Sequence, residues 1–592
     1  MFQQEYFVPK ATGTLSDTLI AFGAVEVISR FVRQRAPATT VMIKDAGAYF
    51  VVDTGTPIQE AWLDEIEWSE DIPFVTSSKF VVPDDLALSR ARNVDDTWDR
   101  FRNYQEQSKQ LRDHKVATDE MEQTLADFKM APDWSVVTYL GDYRMQAQGI
   151  HNNLVEQWQR TSKEFAALNM RTLLALFSSP TAKWDDIIKQ WKKETKGSGF
   201  SDTVTASQLF NPEMGKGQNR VKANKLTMGN EKSFWLLEYL KAVGIWKACA
   251  PTKISNADLR KTYVLAPIQL ELKYHDKVFE EYRDNLWNES SVKQDIVASL
   301  LYTETLLKQS IEDDALDIFN DGPLSNLVSG MNVATYQLLS ANSYTTMNLS
   351  FLGLPDWMPS ISTSEDAENY LAVLTEHRER VRSIGEEKSE GISLLQLYRD
   401  FVSGNDLSTF LKFCADYSSY LISAIDRSQF FIRPFTEINL ERLIAMSEPK
   451  YMPVLQDEGF RNIAYAIRMS TLVPLYLGRK KSRFDVRYGI GQELKRKAQY
   501  KDDFVDALAE FMQSYNDETM RVHERTKGSA RRRLITTGDI ESVIALLDKY
   551  DSRTICHLLI AFGYARDPKE KPESDPALAI SEDDVNEDDV SN

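Results

Sequence analysis

The dipeptide His275-Asp276 is the first place to look for chemistry, because metal-dependent phosphohydrolases use adjacent His and Asp as ligands. Such a centre needs several more ligands converging on it. The remaining histidines, His114, His151, His377, His523 and His557, stand alone on unrelated segments. The sequence therefore favours an ordinary surface pair over a metal site, with a metal-dependent nuclease kept as a third alternative. HExxH and GxSxG are absent. Gly215-Lys216-Gly217 lacks both the upstream glycine and the following Ser/Thr of a phosphate-binding P-loop, and Gly489-Ile490-Gly491 is a lone GxG. Cys249, Cys414 and Cys556 are far apart with no CxxC pair, so they are expected to pack as small apolar side chains. No catalytic residue, metal or cofactor is expected, and the chain reads as a non-enzyme.

Charge placement is the more informative signal. Lys and Arg total 70 against 88 Asp and Glu, a formal net charge of −18. On that acidic background, Arg461 to Lys501 carries eleven bases and two acids. It contains Arg479, Lys480, Lys481, Arg483, Arg487, Lys495, Arg496 and Lys497, interleaved with Tyr476, Phe484, Tyr488 and Tyr500. Arg521 to Arg533 adds six bases and one acid, ending in Arg531-Arg532-Arg533. Ala182 to Lys247 has twelve bases and seven acids. A phosphate backbone attracts such clusters by counterion release, and exposed aromatics stack on bases. The competing reading is a helical interaction scaffold without a nucleic-acid role, whose basic faces dock on acidic protein surfaces.

A second candidate lies in the loop Asn211 to Lys225 (NPEMGKGQNRVKANK). Its glycines permit close backbone approach. Lys216, Arg220, Lys222 and Lys225 supply charge, while Asn211, Gln218, Asn219 and Asn224 supply amide groups able to read base edges.

These groups must be carried by a fold. Thr14 to Val32 has the apolar spacing of an amphipathic helix, and VMIKDAGAYFVVDTG reads as a hairpin turning at Asp45-Ala46-Gly47. Trp98, Phe101, Tyr104 and Leu111 mark one stripe on a long charged helix between 85 and 130. Phe234 to Lys241 opens a strongly apolar helix, and Lys261 to Leu272 is β-like. Residues 290 to 400 read as mainly helical, with a loop and helix cap at Ser360 to Asp366. Beyond them, Leu407, Leu411, Cys414, Tyr417, Leu421 and Ile425 form one helical stripe and Phe504, Leu508, Phe511, Met512 and Tyr515 another. Asp539 is the expected N-cap of a helix carrying Ile540, Val543, Ile544 and Leu547. The fold class expected is α+β, predominantly helical: a mixed α/β N-terminal body over 1–400, an all-α bundle over 401–565, and an acidic tail over 566–592. The tail has ten acids, three bases, three prolines and no aromatic residue, a composition expected to stay disordered. No run approaches the ~20 apolar residues that span a bilayer, and MFQQEYFVPK lacks the features of a secretory signal, so a soluble cytoplasmic protein without a membrane partner is expected.

Phe210-Asn211-Pro212-Glu213-Met214-Gly215-Lys216-Gly217-Gln218-Asn219-Arg220 with Lys222, followed by Phe234 to Lys241, resembles the large subunit of type I CRISPR Cascade surveillance complexes, closest to the I-B-like group. Arg531 to Tyr564 and Thr12 to Leu19 look similar as well. That resemblance implies a non-catalytic subunit of an antiviral ribonucleoprotein complex. Its partners would be crRNA, target double-stranded DNA, the displaced single strand, other Cascade backbone subunits, and a helicase-nuclease or a transposition adaptor. It would sense the protospacer-adjacent motif and stabilise the R-loop, reading backbone shape while the guide reads sequence by pairing. On this resemblance Lys216, Asn219, Arg220 and Lys222 are motif-sensing candidates, Lys225 is a further nucleic-acid-binding candidate, and Arg479, Lys480, Lys481, Arg483, Arg487, Lys495, Arg531, Arg532 and Arg533 would hold nucleic-acid backbone. Internal starts at Met446, Met452 or Met469 would yield a separate small subunit, if the helical block from there to Tyr564 is self-contained.

Overall fold

The structure is a computed structural model. It describes all residues except 67–71, 114–123, 126–127, 215–230, 256, 321, 341–342, 529–531 and 567–592, and leaves aside the side chains of 112–113, 214, 340 and 479–481. The acidic tail expected over 566–592 therefore lies outside the described residues but for Arg566. The architecture is α+β and predominantly helical: antiparallel sheets accompany helices in the N-terminal half, and an unbroken run of helices follows. The chain divides into two compact units, one of 1–291 with 324–354, the other of 292–323 with 355–592.

In the first unit, β1 (Glu5–Pro9), β2 (Met42–Asp45), β3 (Tyr49–Asp53) and β6 (Gln269–Glu271) form an antiparallel sheet in the order β1-β3-β2-β6. The β2–β3 hairpin turns where expected: the Asp45 carboxylate accepts the Gly47 amide at 2.8 Å, and Gly47 takes a φ of 82° that suits glycine. A second antiparallel sheet runs β8-β7-β5-β4, from β4 (Cys249–Lys253), β5 (Leu259–Pro267), β7 (Val328–Ser340) and β8 (Ser343–Gly353). The β7–β8 hairpin corrects the helical expectation for 290–400. Its polar and apolar residues alternate with period two, as in Met347, Leu349 and Phe351, and that pattern belongs to a strand.

Two buried helices form the centre of this unit. Helix α1 (Leu15–Arg33) starts at an N-cap Thr14 that accepts the Ser16 amide, and α3 (Trp235–Ala248) lies against it. Between them in sequence lies α2 (Val94–Asp113), whose Phe101 stacks on Trp134 at 5.2 Å. The α1–α3 crossing depends on two glycines. A Cβ at Gly23 would sit 1.9 Å from the Leu240 carbonyl oxygen, and one at Gly244 would sit 2.1 Å from that of Leu19. Backbone meets backbone there, so neither position has room for a methyl group.

The second unit is helical. Its helices are α4 (Ser291–Glu312), α5 (Ser364–Ser383), α6 (Ser389–Gly404), α7 (Leu407–Asp426), α8 (Glu437–Ser447), α9 (Glu458–Ser470), α10 (Leu472–Lys481), α11 (Ile490–Lys497), α12 (Lys501–Arg525), α13 (Thr537–Leu547) and α14 (Ser552–Gly563). The expected stripes on α7 and α12 are buried, apart from a half-buried Met512. The cap expected at Ser360 to Asp366 is a capping box of Thr363 and Asp366. Asp539 is not the N-cap of α13; Thr536 is, and Asp539 occupies the third helical position and returns the hydrogen bond.

Residue 400 falls inside α6, so a division there would cut a helix. Helices upstream of it share the bundle's core. Arg378 pairs with Glu304 at 2.7 Å, Arg399 pairs with Asp295 at 3.1 Å, and Trp357 stacks on Phe401 at 4.8 Å. The block from Met446 onward is likewise not self-contained, because α14 packs on α7, which precedes it. Met469 lies near the end of α9, and a start there would remove most of the helix that packs on both α13 and α14. Among the described residues, no helix is long and apolar enough to cross a membrane.

The close helix crossing gives a direct test. Gly244→Ala forces a carbon into the Leu19 carbonyl, and over-packing of this kind costs about 1–3 kcal/mol or more. Urea unfolding of the full chain should show the loss for Gly244→Ala and Gly23→Ala, whereas Gly404→Ala, with open space around its Cβ, should fall well short of it.

Candidate nucleic-acid interface

The two basic segments of the second unit meet, and Arg532 joins them. Its guanidinium lies between two rings, 3.7 Å from the centre of Phe484 and 4.5 Å from that of Tyr515. It pairs with Glu518 at 3.2 Å, donates to the Met469 carbonyl at 2.9 Å and donates to the Thr519 hydroxyl at 3.3 Å. Glu518 in turn accepts the Asp485 amide at 2.8 Å and pairs with Arg487 at 3.2 Å. Arg487 also donates to the Ser514 hydroxyl and carbonyl, and its amide donates to the Ser470 carbonyl at 2.8 Å. Segment 482–488 is thus fastened to α12 on one side and to the end of α9 on the other.

Arg532 is only 2% exposed, so it cannot hold a phosphate backbone as its place in an Arg-Arg-Arg run suggested. A cation on two ring faces with a carboxylate partner is a stable way to bury a guanidinium. Arg487 and Lys495 are half-buried and paired with the chain's own acids, Arg487 with Glu518 and Lys495 with Asp416 on α7. Arg533 remains 55% exposed and pairs with the exposed Glu458 at 2.9 Å. Arg531 lies outside the described residues, as do Lys216, Asn219, Arg220, Lys222 and Lys225. Arg479, Lys480 and Lys481 are helical in backbone and follow a break in α10 at Gly478 (φ 71°, ψ 155°).

Exposed cations surround this staple. Arg483 follows α10, and Arg521 and Arg525 stand one helical turn apart on α12, with Lys527 just beyond its end. Arg525 donates to the Arg483 carbonyl at 3.0 Å, which brings the two segments into direct contact. Arg521, Arg525 and Lys527 were counted in the basic run but not singled out from it; their exposure on one helix end distinguishes them. Arg496 and Lys497 are exposed in the last turn of α11. Of the interleaved aromatics, Phe484 lies under Arg532 and Tyr476 packs on Phe430, but Tyr488 and Tyr500 are 43% and 64% exposed.

In the first unit, the start of the Asn211–Lys225 loop is held rigidly. Asn211 is buried: its amide donates to Glu238 at 2.9 Å and its oxygen accepts from Lys241, which pairs with Glu238 at 2.7 Å. It supports the loop and does not read bases. Glu213 accepts the Ser16 and Thr14 hydroxyls at 2.9 Å each, so the stem is tied to the start of α1.

His275-Asp276 has a structural role. The His275 ring lies between Phe22 and Phe279, and its Nε2–H donates to the Lys247 carbonyl at 2.9 Å. Burial pushes its pKa down to about 3. Asp276 pairs with Lys247 at 3.1 Å. Among the described residues, no group of three potential ligands could hold a metal ion. All three cysteines are buried, and burial pushes their thiols well above the usual range. No family model matches this chain, and no curated protein does.

Burial works against the charge of Glu518, but the Asp485 amide and the Arg532 and Arg487 guanidinium groups outweigh it and hold its pKa below the ordinary 4.5. A lowered carboxyl pKa contributes stability fully above the unfolded value, and loses it as pH falls through the folded one. Hydrogen exchange of the 484–488 amides should therefore be slow and constant above pH about 5 and, after correction for intrinsic rates, rise as pH falls below 4.5. In Glu518→Gln that acid-dependent rise should disappear and protection should already be low at pH 7.

Proposed function

We propose that this chain is the non-catalytic large subunit of a crRNA-guided DNA surveillance complex, holding nucleic-acid backbone on the Arg483–Arg521–Arg525 face of its helical unit. The observation that carries the reading is the meeting of two basic segments at Arg483 and Arg525 on a chain of net charge −18. A local cationic face attracts phosphate by counterion release even on a chain of negative net charge, because acids farther than a Debye length are largely screened. Exposed Tyr488 and Tyr500 add surfaces on which bases of a displaced strand stack. The resemblance of the 210–241 segment to Cascade large subunits supplies the rest: sensing of the protospacer-adjacent motif by Lys216, Asn219, Arg220 and Lys222, and recruitment of a helicase-nuclease or transposition adaptor. The clamped stem at Asn211 and Glu213 is consistent with a loop whose origin has to be fixed.

One observation favours the scaffold reading. Much of the region's positive charge is already paired with the chain's own acids, as in Arg487 and Arg532 with Glu518, Lys495 with Asp416 and Lys501 with Asp548. Two measurements separate the readings. A tagged full chain, expressed with its genomic neighbours, should retain repeat-spacer RNA of uniform length with stoichiometric partners; a folded, partner-bound preparation without RNA would favour the scaffold. For the isolated chain, DNA affinity should fall steeply with salt, and the double variant Arg483→Glu/Arg525→Glu should lower the slope of log K against log salt by about 2. Binding unchanged in that variant would remove the assigned face.

A further inference from the structure

We propose that Arg532 is a positioning residue: it touches no ligand itself but aligns segment 482–488 with α12, so that the cations of both act as one nucleic-acid-binding face. The inference rests on the basic-face reading above and names the group that assembles that face.

Within each segment the cations are distributed locally, and only their alignment makes a continuous face. Segment 482–488 has no regular secondary structure and would move independently unless tied down. Apart from the Arg487 bonds to Ser470 and Ser514 and the Tyr488 bond to Asp426, its attachments lead to one centre. Phe484 is a ring on which Arg532 lies, the Asp485 amide reaches Glu518, and Arg487 shares Glu518 with Arg532. Arg525, the α12 cation nearest that segment, then closes on the Arg483 carbonyl. Lysine in place of Arg532 would keep the charge but lose the planar fork and its stacking on two rings. The five donors of a guanidinium allow carboxylate, hydroxyl and carbonyl to be engaged together, which an ammonium on a ring face does not reproduce.

This arrangement predicts that variants leaving the surface charge unchanged still reduce charge-dependent binding. DNA affinity of the full chain is measured by fluorescence anisotropy with a labelled duplex over a range of salt. Arg532→Lys and Phe484→Ala should each lower the slope of log K against log salt by about 1, as if one phosphate contact were lost. Faster exchange of the 484–488 amides should accompany it, with helical circular dichroism retained. A merely structural role would shift the unfolding midpoint and leave the slope as it was. Phe484→Ala removes one ring and buries no new charge, so it decides the matter if Arg532→Lys does not fold. Parent slopes in both variants overturn the positioning role. The Arg483→Glu/Arg525→Glu variant then separates the two ideas: if it still lowers the slope, the face stands without Arg532 as its organiser, and if it does not, the basic-face reading has itself failed.

Discussion

The buried pair of Arg532 and Glu518 is the constraint on which the geometry of the basic region depends. A guanidinium and a carboxylate removed from water lose several kcal/mol of hydration each, and only near-complete pairing offsets that. Here the offset is shared among two rings, a hydroxyl, two backbone groups and a second arginine. Because every partner is needed, the segments that supply them cannot shift separately. Removing Glu518 leaves the Arg532 guanidinium buried without a carboxylate, and breaking a buried pair in this way costs about 3–5 kcal/mol. A cation that looks surface-bound in sequence is therefore a structural centre, and the cations around it are left to face solvent.

The first unit is governed by a different constraint, close backbone packing. With glycine at 23 and 244, α1 and α3 approach until each touches the other's carbonyl oxygens. That contact fixes the start of α1, where Ser16 and Thr14 hold Glu213, and the face of α3, where Glu238 and Lys241 hold Asn211. The stem of the basic loop thus rests on two buried helices of its unit. Buried polar groups of this kind stay because each is satisfied by its neighbours.

Amphipathic periodicity made α7 and α12 legible, and the Asp45-Ala46-Gly47 turn located the first hairpin, whereas α1, expected to be amphipathic, is buried on all sides. In these elements a local rule and the tertiary environment agree. The β7–β8 hairpin escaped because it lies between long helices in an acidic stretch, where its period-two pattern is short and interrupted by a register shift. The border expected at 400 failed for a related reason: composition does not change where helices from both sides share a core.

What the sequence by itself determined is the predominance of helix and the concentration of positive charge in a few segments of an acidic protein. These follow from residue type and spacing, which act locally. What only the tertiary structure decided is which of those charges face outward. Arg531, Arg532 and Arg533 are neighbours of one type, yet Arg532 is enclosed by Phe484, Tyr515 and Glu518 while Arg533 reaches solvent. Burial depends on partners brought from far along the chain, and no spacing rule carries that information.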